Sequence, residues 1–269
     1  FLIDDIDYSG IGSIATLFDI EQIEILRGPQ SGRYGANALA GLIYMQSVTP
    51  TEDFSSKIQL RVAEDNESAA GLAFGGPVDI FNNAKYRVSM HRHQSDGFRD
   101  NAFLNRKNTN QRKETSLRGK LIWNLADDWF FDLTTMFVDI DNGYDAFSID
   151  NSMTMLSDKP GKDAQQSSGA SMKVVYTAFN SHTVELISSL AHSKIDFSYD
   201  ADWGNDKAWA PITYDYETKN NRKRQTISQE IRLISTDQTN SFINASQWLF
   251  GLHLSKLDDD LITKNTGIY

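Results

Sequence analysis

His91 and His93 stand two residues apart in a segment that alternates apolar and polar side chains, Tyr86-Arg87-Val88-Ser89-Met90-His91. On a strand, that spacing puts both imidazoles on one face, where a pair can bind a metal. No third ligand stands nearby in the sequence, so polar residues on one strand face are the favoured reading. Asp258-Asp259-Asp260, and Asp139 with Asp141, have the oxygen chemistry of a Ca²⁺ loop; solvated strand ends are favoured there. Trp203, Trp209, Tyr214 and Tyr216 cluster in a polar stretch, 200–224. Their rings can stack on a sugar or on an aromatic ligand. The alternative is an aromatic belt at a membrane interface. Arg222-Lys223-Arg224 is a basic run able to meet phosphates or an anionic substrate, with a solvated charge run as the default.

Covalent chemistry finds no foothold. The sequence has no G-x-S-x-G, no H-E-x-x-H and no P-loop. Gly28, Gly32 and Gly35 follow a strand-like segment but lack the Lys-Ser/Thr of a phosphate cradle. The expectation is therefore no enzyme, no cofactor and no metal. A net charge of −10 over 269 residues argues against a nucleic-acid partner. The chain has no cysteine, which excludes disulfides and thiolate metal sites. No apolar run approaches the ~18 residues of a membrane-spanning helix, and the mean hydropathy is −0.44. Neither fact excludes a β-barrel, whose strands alternate and so average to polar.

The elements that position these residues fall into two units. In residues 1 to about 50, Phe1–Ile6 reads as a short strand, and Leu17–Ile25 as one helical turn leading into a strand. Gly32, Gly35 and Gly41 then allow sharp turns or close backbone approach. Pro50 ends the unit. From Ser56 onward, segments of about ten residues alternate with period two. Ile58, Leu60 and Val62 share one face; so do Leu72 and Phe74, then Tyr86, Val88 and Met90. Leu117, Leu121 and Trp123 follow, then Phe131, Leu133 and Phe137. Met172, Val174 and Tyr176 precede Val184, Leu186 and Leu190, and Ile231 and Leu233 precede Trp248, Phe250, Leu252 and Leu254. Short turns are expected near 65, 78, 127, 180 and 240, and longer polar loops at 95–111, 142–164 and 200–224. The expected count is about nine strands.

The run Asp19-Ile20-Glu21-Gln22-Ile23-Glu24-Ile25-Leu26-Arg27-Gly28-Pro29, continued by Tyr34-Gly35, Ala38 and Gly41, resembles the end of the plug domain of TonB-dependent outer-membrane receptors. Ser95–Asn101, Gln229–Leu233 and Trp248–Leu252 are similar to shorter phrases of that family's barrel. The resemblance implies a mainly β chain: part of a small α+β plug over 1–52, then a fragment of an antiparallel transmembrane β-barrel over 53–269. It implies a bacterial outer-membrane importer of a scarce substrate, with a ferric siderophore first and cobalamin or an oligosaccharide as alternatives. The TonB–ExbB–ExbD complex would supply energy; outer-membrane lipid and lipopolysaccharide would surround it. The resemblance places Gly28, Pro29, Gly32, Tyr34, Gly35 and Gly41 in the plug turn. Arg27 and Arg33, with Glu24, are then candidates for an ionic latch to the barrel wall at Glu185 or Glu230. Solvated or turn-holding arginines are the plainer reading.

Two departures from the family pattern stand out. The TonB box is absent, and the strands fall well short of the ~22 of a large plugged transporter. The chain, which starts without Met or a leader pattern, reads as incomplete and is expected neither to function nor to behave well alone. The competing class is a soluble all-β carbohydrate-binding module. A third possibility, a mainly signalling receptor, would require an additional N-terminal domain.

Overall fold

The computed structural model describes residues 1–11, 14, 16–29, 40–236 and 247–268. Strands β1 (Leu2–Ile3), β2 (Ile6–Asp7), β3 (Ile20–Arg27) and β4 (Gly41–Ser47) form a small mixed sheet in the order β2-β1-β4-β3. After Pro50 the chain enters a long meander: β5 (Ser55–Val62), β6 (Ser68–Pro77), β7 (Ala84–Ser95), a two-residue β8 (Asp100–Asn101), β9 (Arg112–Ala126) and β10 (Trp129–Tyr144). It continues through a two-residue β11 (Thr154–Met155), β12 (Gly161–Tyr176), β13 (His182–Asp200), a helical turn α1 (Asp206–Trp209), β14 (Asp215–Ser235) and β15 (Leu249–Ile268). The nine long strands make one antiparallel sheet in chain order, with β5 and β15 at its edges. Strands β8 and β11 pair with each other.

The two faces of this sheet follow the zigzag expected from the sequence. Directly opposed residues share a face, so the register links Phe131 to Trp123 and Val174, Val174 to Leu186, Leu186 to Ile231 and Ile231 to Leu252. These residues point away from the small sheet. Ile58 (71% exposed), Leu60 (79%) and Val62 (85%) point the same way with no layer over them. An uncovered leucine and isoleucine face suits hydrocarbon and not water; a dry two-layer sandwich would have buried it. The opposite face carries Arg87, Ser89, Arg118, Thr134, Ser167, Ser171, Ser189 and Ser193, all buried beneath the N-terminal unit.

The apolar face also records strand tilt. One ladder row joins Leu60, Ala70, Arg92, Thr115, Asp139, Gln166, Lys194, Lys223 and Asp260. Relative to this row, the apolar residues end one row beyond it at Val62 on β5. They end one row before it at Met90, Leu117 and Phe137, two rows before at Leu190 and Ile227, and three rows before at Leu254. The limit thus descends four rows of about 6.8 Å over eight steps of about 4.8 Å, a slope of about 35°. Transmembrane barrel strands tilt by about that much.

Connections sort by end. Turns near 78, 127 and 180 share one end, where ring contacts run from Phe81 through Trp123, Phe131, Trp129, Tyr176, Phe179 and His182 to Trp248, at centroid distances of 4.6–6.3 Å. This is an interface belt of the kind that flanks an apolar band.

Several expectations need correction. The turn at 65 belongs to the long-loop end, where the Asp96 amide donates to the Asp65 carbonyl (2.9 Å). Asp65 and Asn66 take left-handed φ values of 56° and 53°, the backbone of a tight hairpin. Among the described residues no helical turn precedes β3; a turn at Phe18–Asp19 does, with Asp19 at φ 59°. The 200–224 loop is shorter than expected, because β14 starts at Asp215 and pairs with β13 throughout. Tyr216 and Arg222-Lys223-Arg224 are therefore strand residues. So are Asp139, Asp141 and Asp258–Asp260. The turn near 240 lies outside the described residues.

Candidate functional site

The apolar core lies between the small unit and the large sheet. Ile3, Ile6, Tyr8, Ile11, Ile14 and Met45 pack against Met136, Val138, Ile140 and Ala191. Two wall glycines make room for this packing. A Cβ on Gly71 would stand 2.5 Å from the Phe18 ring, and one on Gly169 would stand 2.4 Å from Tyr8 Oη and 2.7 Å from Ile6 Cγ2. Both glycines face inward, so the N-terminal unit rests on bare wall backbone there.

Charge fixes the same interface. Arg87 grips Asp19 with two bonds, Nε to Oδ2 at 2.7 Å and Nη2 to Oδ1 at 2.5 Å. The side chains are 8% and 2% exposed. Arg118 Nη1 donates to the Asp19 carbonyl (3.2 Å). Lys120 Nζ meets Asp4 Oδ1 at 3.2 Å, while Ser171 Oγ donates to the Asp4 carbonyl (2.5 Å). Arg222 Nη1 reaches the Gly10 carbonyl (3.2 Å), steadied by Asp259. Anionic groups of the small unit thus meet cations of the wall. Asp4 and Asp5 occupy left-handed turn positions (φ 46° and 68°) that project carboxylates in tandem. Burial raises the Asp5 carboxyl pKa above its ordinary value, against the pull of Lys173 and Arg232, and it accepts from Tyr44 Oη at 3.1 Å.

The sequence candidates fall as follows. Glu185 and Glu230 face inward. Glu230 accepts from Arg232 Nε (2.6 Å) and approaches His253; Glu185 lies 3.6 Å from Arg232 and 3.7 Å from Lys173. Glu24 accepts from Gln22 (2.9 Å), and Arg27 is exposed on β3 opposite Gly41. Gly28 (φ 82°) and Gly41 (φ 151°) hold backbone that side-chained residues rarely adopt; Pro29 is exposed beside them. Gly32, Arg33, Tyr34 and Gly35 lie outside the described residues. His91 stacks on Phe18 at 5.4 Å, and His93 lies between Glu67 and Glu114 at 3.5 and 3.8 Å. Both face a cavity of about 330 Å³ bounded by Ile14, Thr16 and Leu17. Among the described residues no group of three ligating side chains is placed to hold a metal.

At the long-loop end the connections interlock. Asn101 Nδ2 donates to Asp145 and to the Ser157 carbonyl, both at 2.8 Å; Asn205 Nδ2 donates to the Leu156 carbonyl at 2.6 Å. Trp209, Tyr214 and Tyr216 form one run of ring contacts at 5.2 and 5.0 Å, with Trp209 Nε1 donating to Asp202 (3.2 Å). Trp203 stands apart, stacked on Phe147 at 5.5 Å. These rings are at the opposite end from the interface belt. Asp200 is buried beneath this mouth, and burial, reinforced by Asp202, pushes its carboxyl up to about 7.

The residues that the sequence reading missed are Asp4, Asp19, Arg87, Arg118 and Lys120. Their signal was parity: all three wall cations occupy inward positions of strands whose other face is apolar.

Known proteins match this arrangement. A profile of the TonB-dependent Receptor Plug Domain matches residues 1–42. The vitamin B12 transporter BtuB of Vibrio vulnificus is 27% identical over 112 residues, 42% of this chain and 18% of that protein. The ferric yersiniabactin uptake receptor FyuA of Yersinia pestis superposes with a TM-score of 0.81 at 16% identity, over 98% of this chain and 40% of its own. FpvA of Pseudomonas aeruginosa, solved with pyoverdine, superposes with a TM-score of 0.65 at 16% identity, over 91% and 33%. At such identities the structural likeness is one of fold. The chain spans less than half the length of each of these relatives.

Proposed function

We propose that this outer-membrane TonB-dependent receptor chain serves the energised import of a scarce, bulky solute, with residues 1–52 as plug and 53–269 as barrel wall. A ferric siderophore is the leading cargo; cobalamin and oligosaccharides follow. The relatives' names support this range: one is a vitamin B12 transporter and another a ferric yersiniabactin uptake receptor. The carrying observation is the buried Asp19–Arg87 pair, which ties a separate unit into the polar face of a membrane sheet. A plug held by a few directional contacts can be seated firmly and still be released by mechanical work. The TonB–ExbB–ExbD complex is the proposed source of that work. No covalent step is needed.

Cargo would meet the mouth first, at Trp203, Trp209, Tyr214 and Tyr216. The test is uptake by the full-length receptor in cells, with and without TonB, using labelled ferric chelates, cobalamin and oligosaccharides. Uptake of one class that disappears without TonB is expected; TonB-independent entry of all three overturns the reading. Arg27 with Glu230 or Glu185 is proposed as a second plug contact. Charge reversal at both partners should restore what either single reversal loses.

A further inference from the structure

Two asparagines from different loops hold one short segment, 156–158, from two sides. Asn101 of β8 is 1% exposed, and all four of its polar atoms are used. Nδ2 donates to the Ser157 carbonyl and to Asp145, both at 2.8 Å, and Oδ1 accepts from the Leu104 amide (2.8 Å). Its backbone amide and carbonyl both bond to Arg106, at 2.8 and 3.0 Å. Asn205 is 5% exposed and donates from Nδ2 to the Leu156 carbonyl (2.6 Å), while the Asp158 amide donates to the Gly204 carbonyl (3.0 Å). Leu156 and Asp158 thus serve the 201–214 loop, and Ser157 between them serves the 96–111 loop. Asn205 also caps α1, the turn that carries Trp209: its Oδ1 accepts from the Lys207 and Ala208 amides, at 2.9 and 3.1 Å.

The segment between them is poorly placed to find substitutes. Met155 and Ser157 are 0% and 1% exposed, so water has little access to the groups that a lost amide would release. A buried carbonyl left without its donor is costly. Disturbing 156–158 at one asparagine therefore weakens what the other one holds. The pairing of β8 with β11, through the Asp100 amide to Met153 and the Ala102 amide to Met155, and the stack of Trp203 on Phe147 add ties between the same loops. Contacts of this kind make a cooperative local unit out of segments far apart in the chain.

We propose that Asn101 is a positioning residue of the mouth: acting through Ser157 and Asn205, it holds Trp203 and Trp209 in place, so that the three loops meet cargo as one preassembled rim and do not close singly. The part that concerns cargo rests on the import reading above; the coupling between loops does not.

The test is amide hydrogen exchange in the full-length receptor, without cargo. Asn101→Ala should raise exchange about tenfold or more at Ala208 and Trp209, whose amides donate to the Asn205 carbonyl in a different loop. Asn205→Ala should raise it by a similar factor at Ala102 and Arg106, on the far side of the segment. Lys107→Ala, in the same loop as Asn101 but with its side chain 83% exposed, should leave both sets of amides as they are. Amides of β12 should stay protected in every variant, which reports a folded wall. Exchange that rises only within the substituted loop overturns the proposal, because each asparagine then holds only its own connection. Binding gives a second readout, with whichever of the labelled ferric chelate, cobalamin or oligosaccharide the receptor imports. Asn101→Ala should weaken that binding about threefold to tenfold, and should add little in a receptor that already carries Trp203→Ala/Trp209→Ala. An equal loss in both backgrounds overturns the positioning role. Absence of TonB-dependent uptake for all three compounds would instead sink the import reading, with the coupling of the loops still decided by exchange.

Discussion

Asp19→Asn should loosen the plug without disturbing the wall. Asparagine tolerates the left-handed φ of 59° at this position, so backbone strain is not introduced. What changes is that Arg87, 8% exposed, loses its counter-ion. Breaking a buried pair from one side costs about 3–5 kcal/mol, which raises the open population by roughly 10²- to 10³-fold or more. Ser55 Oγ, 3.2 Å from Arg87 Nη1, is neutral and recovers little of this. Arg87→Met leaves Asp19 stranded and should cost a similar amount. The double variant Asp19→Asn/Arg87→Met buries no unpaired charge and should return most of the loss. The assay is amide hydrogen exchange in the full-length receptor, read at Tyr8 and Ile11, whose amides donate to Phe1 and Tyr8 carbonyls. Amides of β12 serve as the wall control. Single variants that change plug exchange by less than threefold, or a double variant as loose as the summed singles, would refute the reasoning.

Three other outcomes are expected. Gly169→Val drives a side chain into Tyr8 and Ile6 and should raise plug exchange as the charge variants do, whereas Gly119→Ala, which meets only Thr135 Oγ1 at 3.2 Å, should not. Asp200 is protonated more readily in the fold than in the open loop, so its contribution to loop stability is complete below about pH 4 and is lost as pH rises through about 7. Protease resistance of the 201–214 loop should fall over that window, and Asp200→Asn should flatten the profile. Trp209→Ala removes the ring that meets Tyr214 and should weaken cargo binding about threefold to tenfold by titration; unchanged affinity would remove these rings from the cargo site.

The wall was largely legible in the sequence because its two faces meet different solvents, and period two exposes that directly. Ile58, Leu60 and Val62 are outward for the same reason that they alternate with Lys57, Gln59 and Arg61. Loop ends were less legible. The 65 turn was placed by its length, whereas its end is set by counting strands. Tyr216 and Arg222 looked like loop because their surroundings are polar, but above the hydrocarbon a barrel strand needs no apolar face. The interface was legible only in type. A plug in a polar lumen needs charged partners, yet which sign sits on which side depends on residues as distant as Asp19 and Arg87, and no local pattern couples them.

Between plug and wall, the larger apolar share of the shared core belongs to the plug. Ile3, Ile6, Tyr8, Ile11 and Ile14 pack on a short apolar patch of the wall, Met136, Val138, Ile140 and Ala191, around which the inner face offers Ser89, Ser167, Ser171, Ser189, Ser193, two bare glycines and the cations Arg87, Arg118 and Lys120. Withdrawing the plug would therefore uncover a mostly polar surface, short hydroxyls and cations that rehydrate cheaply around one small apolar patch. The larger part of the penalty for displacement would fall on the departing unit, whose isoleucines would have to find shelter elsewhere or return.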